Sequence, residues 1–178
     1  ELTPAEGPRV IGETAAMGTP LLVLSGGDPV NRPDLLELVR HAKAAGLRVA
    51  TIPAATDALT PGLVSAFRDA GLDQMALSLD YPRADLHDAF RGVPGAFAKT
   101  LAAAGWARAA GLPLQTNTTV AAETALYLEE IEALVDSTFR KGGGWGPGYP
   151  SICAAGVNAT ILHYNTNNER VPAGAMML

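Results

Sequence analysis

The chain has 178 residues, 48% of them apolar and 17% charged, enough apolar material to pack one modest core and too much for wholesale disorder. A net charge of −5 argues against a nucleic-acid-binding surface or a polybasic membrane patch. No apolar run approaches the roughly 20 residues of a membrane span, and no basic-then-apolar leader opens the chain, so a soluble cytoplasmic protein is expected. The single cysteine, Cys153, excludes an internal disulfide and any multi-cysteine metal site built from one copy.

Thr3-Pro4-Ala5-Glu6 is a capping box with proline at the first helical position, and it predicts a helix through Val10, Ile11, Thr14 and Met17 that Gly18 closes. Leu21 to Leu24 is a short continuous apolar run, suited to a strand buried on both faces. The next helix runs from Pro33 to Ala45 with Leu35, Leu38, Val39 and Ala42 on one face, followed by a strand at Arg48 to Ile52. Thr60-Pro61 caps a third helix carrying Leu63, Val64 and Phe67, and Met75 to Leu79 is the third strand. A helix from about Pro94 to Ala110 precedes a fourth strand, Leu114 to Val120. Ala45-Gly46-Leu47, Ala70-Gly71-Leu72 and Ala110-Gly111-Leu112 mark one repeated place, a helix ending on a left-handed glycine before a strand. Alternation of this kind implies an α/β fold with a parallel sheet and right-handed crossovers, either half of a β/α barrel or a short doubly wound sheet. The pattern then changes. Glu123 to Arg140 reads as an acidic amphipathic helix, Lys141 to Gly148 as a glycine-rich loop, and Tyr149 to Leu178 as a segment of short strands. The chain opens on Glu1 and closes on apolar Ala175-Met176-Met177-Leu178, so both ends read as cut.

The chemistry is expected at the carboxyl end of the first strand, where parallel α/β folds bind ligands and where Ser25-Gly26-Gly27-Asp28-Pro29 stands. Paired glycines let a backbone approach a ligand and present N–H and C=O groups to it, although a bare Gly-Gly also suits an ordinary turn. His87 and Asp88 are adjacent on one segment without convergent partners, which argues against a metal site there.

Leu22 to Leu35, Ala76 to Asp80, His87 to Phe97 and Gln115 to Val120 resemble, in order and spacing, the corresponding segments of radical S-adenosylmethionine (SAM) enzymes, nearest the peptide-modifying and haem-biosynthesis branches. The resemblance covers residues 1 to 122 and implies part of a (β/α) barrel. It implies that Gly26, Gly27, Asp28 and Pro29 hold the methionyl amino group of SAM through backbone, with aspartate replacing the family's commoner glutamate. By the same resemblance Ser78 reaches the ribose with Asp80 near it, Arg91 meets the SAM carboxylate, and Asn117 faces the same cavity. For Arg91, a surface arginine at a helix end is the competing reading. The family also implies a four-iron, four-sulfur (4Fe–4S) cluster on a C-x3-C-x2-C motif, which this sequence lacks.

Tyr149 to Tyr164, with its Asn158-Ala159-Thr160-Ile161-Leu162-His163-Tyr164 core, and Gly174 to Leu178 are similar to the pita-bread metallopeptidases of the Xaa-Pro aminopeptidase type. That resemblance assigns residues 123 to 178 to a small α+β fragment. It gives His163 a role in stabilising a tetrahedral intermediate and implies a divalent metal pair whose ligands are absent here. Cys153 would be a small buried hydrophobe. Three functions follow as expectations: a fragment of a radical SAM enzyme acting on a peptide or small molecule; a fragment of a metal-dependent aminopeptidase; or a non-catalytic chimera with weak SAM binding. A half barrel also leaves open sheet edges through which the chain can self-associate.

Overall fold

A computed structural model describes residues 2–119 and, beyond them, Thr124, Tyr127, Glu130, Ile131, Ala133, Leu134 and Ser137. Helix α1 (Glu6–Ala16) follows the expected capping box: the Thr3 N–H and hydroxyl both donate to the Glu6 carboxylate at 2.8 Å, and the Glu6 N–H donates back to Thr3 Oγ1 at 3.3 Å. Then come β1 (Leu21–Leu24), a single 3-10 turn (Pro29–Asn31), α2 (Leu35–Ala44), β2 (Arg48–Thr51), α3 (Pro61–Asp69) and β3 (Gln74–Ser78). Helix α4 (Ala84–Arg91), helix α5 (Ala96–Ala109) and strand β4 (Leu114–Asn117) complete the described elements. Helix α4 is not among the elements predicted from the sequence.

The four strands form one sheet in the order β1-β2-β3-β4. Strands β1 and β2 are parallel with Leu22 opposite Val49, and β2 and β3 are parallel with Thr51 opposite Met75. The Met75 N–H donates to the Pro113 carbonyl and the Leu79 N–H to the Asn117 carbonyl, each at 2.9 Å. Both strands advance by four residues between those bonds, so β4 is parallel as well. Sequential order with helical crossovers is the winding of a barrel segment; a doubly wound sheet would reverse direction at one strand.

The three Ala-Gly-Leu phrases fold alike. Gly46, Gly71 and Gly111 have φ of 82°, 90° and 65°, and each is followed by a leucine whose N–H reaches back five residues. Leu47 donates to Ala42, Leu72 to Phe67 and Leu112 to Ala107 at 2.9–3.1 Å, the six-to-one bond of a Schellman cap. Each leucine is buried, so one motif ends a helix and anchors the next strand.

The chain divides into two compact units. The first comprises Glu1–Leu77 and Ala98–Gln115. Its core is one cluster in which Val39, Ala42, Val49, Val64, Phe67 and Met75 are wholly buried. Asp73, at the entry to β3, accepts from the Lys43 ammonium at 2.8 Å and the Val49 N–H at 2.7 Å. Burial pushes the Asp73 carboxyl up, but those donors outweigh it and hold the group below its ordinary value. One expectation needs correction here. Strand β1 is not buried on both faces: Leu22 and Leu24 pack on the core, while Leu21 and Val23 are 39% and 43% exposed. Its alternation is that of a strand covered by helices on one side only.

The second unit comprises Ser78–Phe97 and Thr116–Leu178. Its described part holds the end of β3, helix α4, the Gly92–Gly95 turn and the end of β4. The Tyr81 ring packs edge-on against Phe90 and tilted against Tyr127, with centroids 5.7 and 5.4 Å apart. Strand β4 stops at Asn117, short of the expected Val120, because the next residues bond differently. The Thr118 hydroxyl donates to the Leu79 carbonyl at 2.7 Å, and the Thr119 N–H donates to a carboxylate rather than to a strand.

Candidate functional site

In the first unit, Gly26 and Gly27 lie just past β1 with φ of 97° and 56°. A side chain is strained at such values, most of all at Gly26. A Cβ built at either position meets nothing within 4 Å, so the glycines are required by conformation and the space beside them is open. Among the described residues neither glycine backbone has a hydrogen-bonding partner. Pro29 is buried and opens the 3-10 turn.

The Asp28 side chain is taken up by the protein. Its Oδ1 accepts from the Val30 N–H at 3.3 Å, capping the 3-10 turn, and from the Ala54 N–H at 3.2 Å. Its Oδ2 accepts from the Thr56 hydroxyl at 3.4 Å. The carboxylate therefore ties the loop after β1 to the loop after β2. The Thr51 hydroxyl adds a second tie by donating to the Leu24 carbonyl at 2.9 Å.

The second unit gathers the other predicted residues. Ser78 is half-buried at the end of β3, and Asn117 ends β4 with its carbonyl accepting from Leu79. Asp80 is fully buried, and both carboxylate oxygens are engaged. Oδ1 accepts from the Thr119 N–H at 2.8 Å, and Oδ2 accepts from Arg91 Nε at 2.6 Å. The Asp80 backbone N–H donates to His87 Nδ1 at 3.2 Å. Asp80 is thus the hub of this cluster. Arg91 is the last residue of α4, followed by Gly92 in the left-handed conformation at φ 66°, and its side chain is 34% exposed. Arg91 ends a helix, where a cation suits the helix dipole, and its side chain also joins the cluster through Asp80.

Helix α4 also separates His87 from Asp88. The His87 imidazole is buried, with the Phe97 ring edge-on at 5.9 Å. Burial and then the Arg91 cation hold its pKa below the ordinary value, against the pull of Asp80 and Asp88, so it is neutral at pH 7. Because Nδ1 accepts, the proton of the neutral ring sits on Nε2. The Asp88 carboxylate accepts from the Phe97 N–H at 2.8 Å and the Gly95 N–H at 2.6 Å, and those two bonds lower its pKa. It caps the start of α5 from a neighbouring helix.

His87 is the site residue that sequence reasoning missed. Its signal was the four-residue spacing to Arg91 ahead of Gly92, which has meaning only once the segment is a helix. His163, Cys153 and all of the aminopeptidase-like segment from residue 138 onward lie outside the described residues. Among the described residues no group of three or more His, Cys, Asp or Glu side chains could hold a metal ion, and no helix is long and apolar enough to cross a membrane.

The model of the radical SAM superfamily matches residues 1–138, and the chain belongs to that superfamily. The match runs past the boundary expected at residue 122 and into the segment assigned to the peptidase-like fragment. Over 131 residues the chain is 46% identical to the AdoMet-dependent heme synthase of Methanosarcina barkeri, covering 74% of this chain and 36% of that protein. It is 43% identical over 109 residues to the PqqA peptide cyclase of Ruegeria pomeroyi, covering 61% of this chain and 29% of that one. The chain thus spans about a third of the length of the curated relatives it matches. The crystal structure of Streptococcus suis SuiB superposes with a TM-score of 0.65 at 15% identity, covering 78% of this chain and 32% of that one, which establishes the shared barrel fold.

The residues present fit SAM at one point directly: an open, left-handed glycine pair whose backbone has no protein partner among the described residues. They do not fit the 4Fe–4S cluster the family implies. Such a cluster needs several thiolates, and these 178 residues contain one cysteine.

Proposed function

We propose that this chain is the SAM-binding part of a radical SAM enzyme. The observation that carries the reading is the Gly26–Gly27 pair, open at the carboxyl end of a barrel strand in a chain of this superfamily. Gly26, Gly27, Asp28 and Pro29 take the methionyl amino group, chiefly through backbone, and Asp28 holds the loop in shape. This accounts for the tolerance of aspartate there: three protein donors occupy its carboxylate. Ser78 reaches the ribose, Arg91 takes the carboxylate as a two-pronged donor, and Asn117 contributes from the end of β4. The 4Fe–4S cluster that the family implies would supply the electron for reductive cleavage of SAM. Its ligands are not among these residues, so the chain alone binds SAM weakly and does not cleave it.

The substrate class in this reading is a peptide or a small molecule, supported by kinship with a peptide cyclase and a heme synthase. The setting is cytoplasmic. Calorimetric titration with SAM tests the reading. Weak, saturable binding that Gly26→Val abolishes is expected. Submicromolar affinity, or binding indifferent to Gly26→Val, would contradict it.

A further inference from the structure

His87 and Arg91 stand four residues apart on α4, so both side chains rise from one face of the helix. That face meets Asp80 at two points. His87 Nδ1 takes the Asp80 backbone N–H at 3.2 Å, and Arg91 Nε donates to the Asp80 carboxylate at 2.6 Å. The imidazole and the carboxylate do not bond to each other, since Nδ1 and Oδ2 are 3.6 Å apart. The second carboxylate oxygen is fixed by the Thr119 N–H at 2.8 Å, which sets the plane of the group that Arg91 meets.

Guanidinium is a planar fork with five N–H donors. Engaging it at Nε orients the plane and leaves the terminal nitrogens, and among the described residues neither is bonded to a protein partner. A side chain 34% exposed would otherwise sample many rotamers and lose that freedom on binding a ligand. Anchored at Nε before the ligand arrives, it loses less.

We infer that Asp80 and His87 are positioning residues for Arg91: the carboxylate aims the guanidinium, and the imidazole holds Asp80 in place, so that the terminal nitrogens are set for an α-amino carboxylate. This deepens the proposed function and rests on Arg91 being the ligand of the SAM carboxylate. Asp80 then acts through Arg91 rather than on the ribose. Thr119, just past β4, is held by the same carboxylate, so one buried group aligns the end of α4 with the segment that follows Asn117.

The test compares SAM with decarboxylated SAM, which lacks only the carboxylate, by calorimetric titration of the full chain. The ratio of the two affinities reads the Arg91–carboxylate contact. Arg91→Ala should lower that ratio about 10-fold or more, as expected for a charge-assisted bond. Asp80→Asn and His87→Phe should lower it by about 3-fold or more while decarboxylated SAM binds as before. His87→Asn keeps an acceptor close to the Nδ1 position and should restore the ratio. If Arg91→Ala leaves the ratio unchanged, the carboxylate reading fails and the inference with it. If Arg91→Ala lowers the ratio but Asp80→Asn and His87→Phe do not, the positioning roles alone are overturned. Equal loss of both ligands in those variants would make Asp80 and His87 supports of the fold, which also overturns the inference.

Discussion

Asp80 shows how a residue picked out for one purpose serves another. Its place beside a barrel strand end suggested a ligand contact, yet both oxygens are spent on protein donors and the residue is wholly buried. Removing the cation leaves a buried carboxylate held by one N–H alone, so Arg91→Ala should cost about 1–3 kcal/mol of stability in a denaturant titration. No loss would mean that the pair is not formed in solution. His87 and Asp88 make separable pH predictions. His87 has a folded pKa below its ordinary value of about 6.5, so the unfolded chain takes a proton there before the folded one does. Its contribution is complete above that pH and is lost as pH falls through the folded value. Phe97 and the charged groups Asp80, Asp88 and Arg91 surround it. His87→Asn should flatten stability just below pH 6.5; an unchanged slope would contradict a buried neutral ring. Asp88, also lowered, acts further down: its cap on α5 is intact above about pH 4 and is lost on stronger acidification. Asp88→Asn should remove that acid limb, as followed by helical circular dichroism against pH.

The recurring element is a helix that ends on glycine and hands the chain to a buried strand. Gly46 occupies the left-handed cap with open space around it, so Gly46→Ala tests conformation without a clash and should cost about 1 kcal/mol. The opposite end of α3 makes the complementary prediction. Thr60 Oγ1 accepts from the Leu63 N–H at 3.2 Å, and Thr60→Ala should cost about 1 kcal/mol as well. Thermal or denaturant melts check both. These signals explain why so much of the architecture was legible in the sequence: Thr3 and Glu6, Thr60 and Pro61, and three Ala-Gly-Leu phrases act locally and leave a local mark. Helix α4 left none at its start. Arg83 stands at its N-cap with its side chain paired to Asp85 and makes no capping bond, and the helix is eight residues long, too short for a clear apolar stripe. With α4 unseen, the spacing of His87 and Arg91 could not register as one face, and their meeting with Asp80 is a tertiary fact. The exposed residues of β1 were missed for a related reason. A run of four apolar residues reads alike whether one face or two is covered, and only the packed sheet separates Leu22 and Leu24 from Leu21 and Val23.

For the whole molecule, the sequential parallel sheet and the superfamily match make this a segment of a larger barrel, spanning about a third of its curated relatives. Among the described residues β1 pairs with β2 alone, and Leu21, Val23 and, nearby in sequence, Met17 at 83% are exposed. An unpaired strand edge with apolar side chains invites association. Sedimentation should therefore show mass rising with concentration, and Leu21→Lys with Val23→Lys should suppress it. A single monomeric boundary at about 0.1 mM would contradict the open edge. In the proposed function the segment folds as a SAM-binding surface. Hydrogen–deuterium exchange of the full chain with and without about 1 mM SAM, enough to populate a weak complex, tests it most directly. Slowed exchange confined to the segments around Gly26–Val30, Ser78–Asp80 and Arg91–Gly92 is the predicted result. Exchange unchanged by SAM, or slowed elsewhere with those segments untouched, would contradict it.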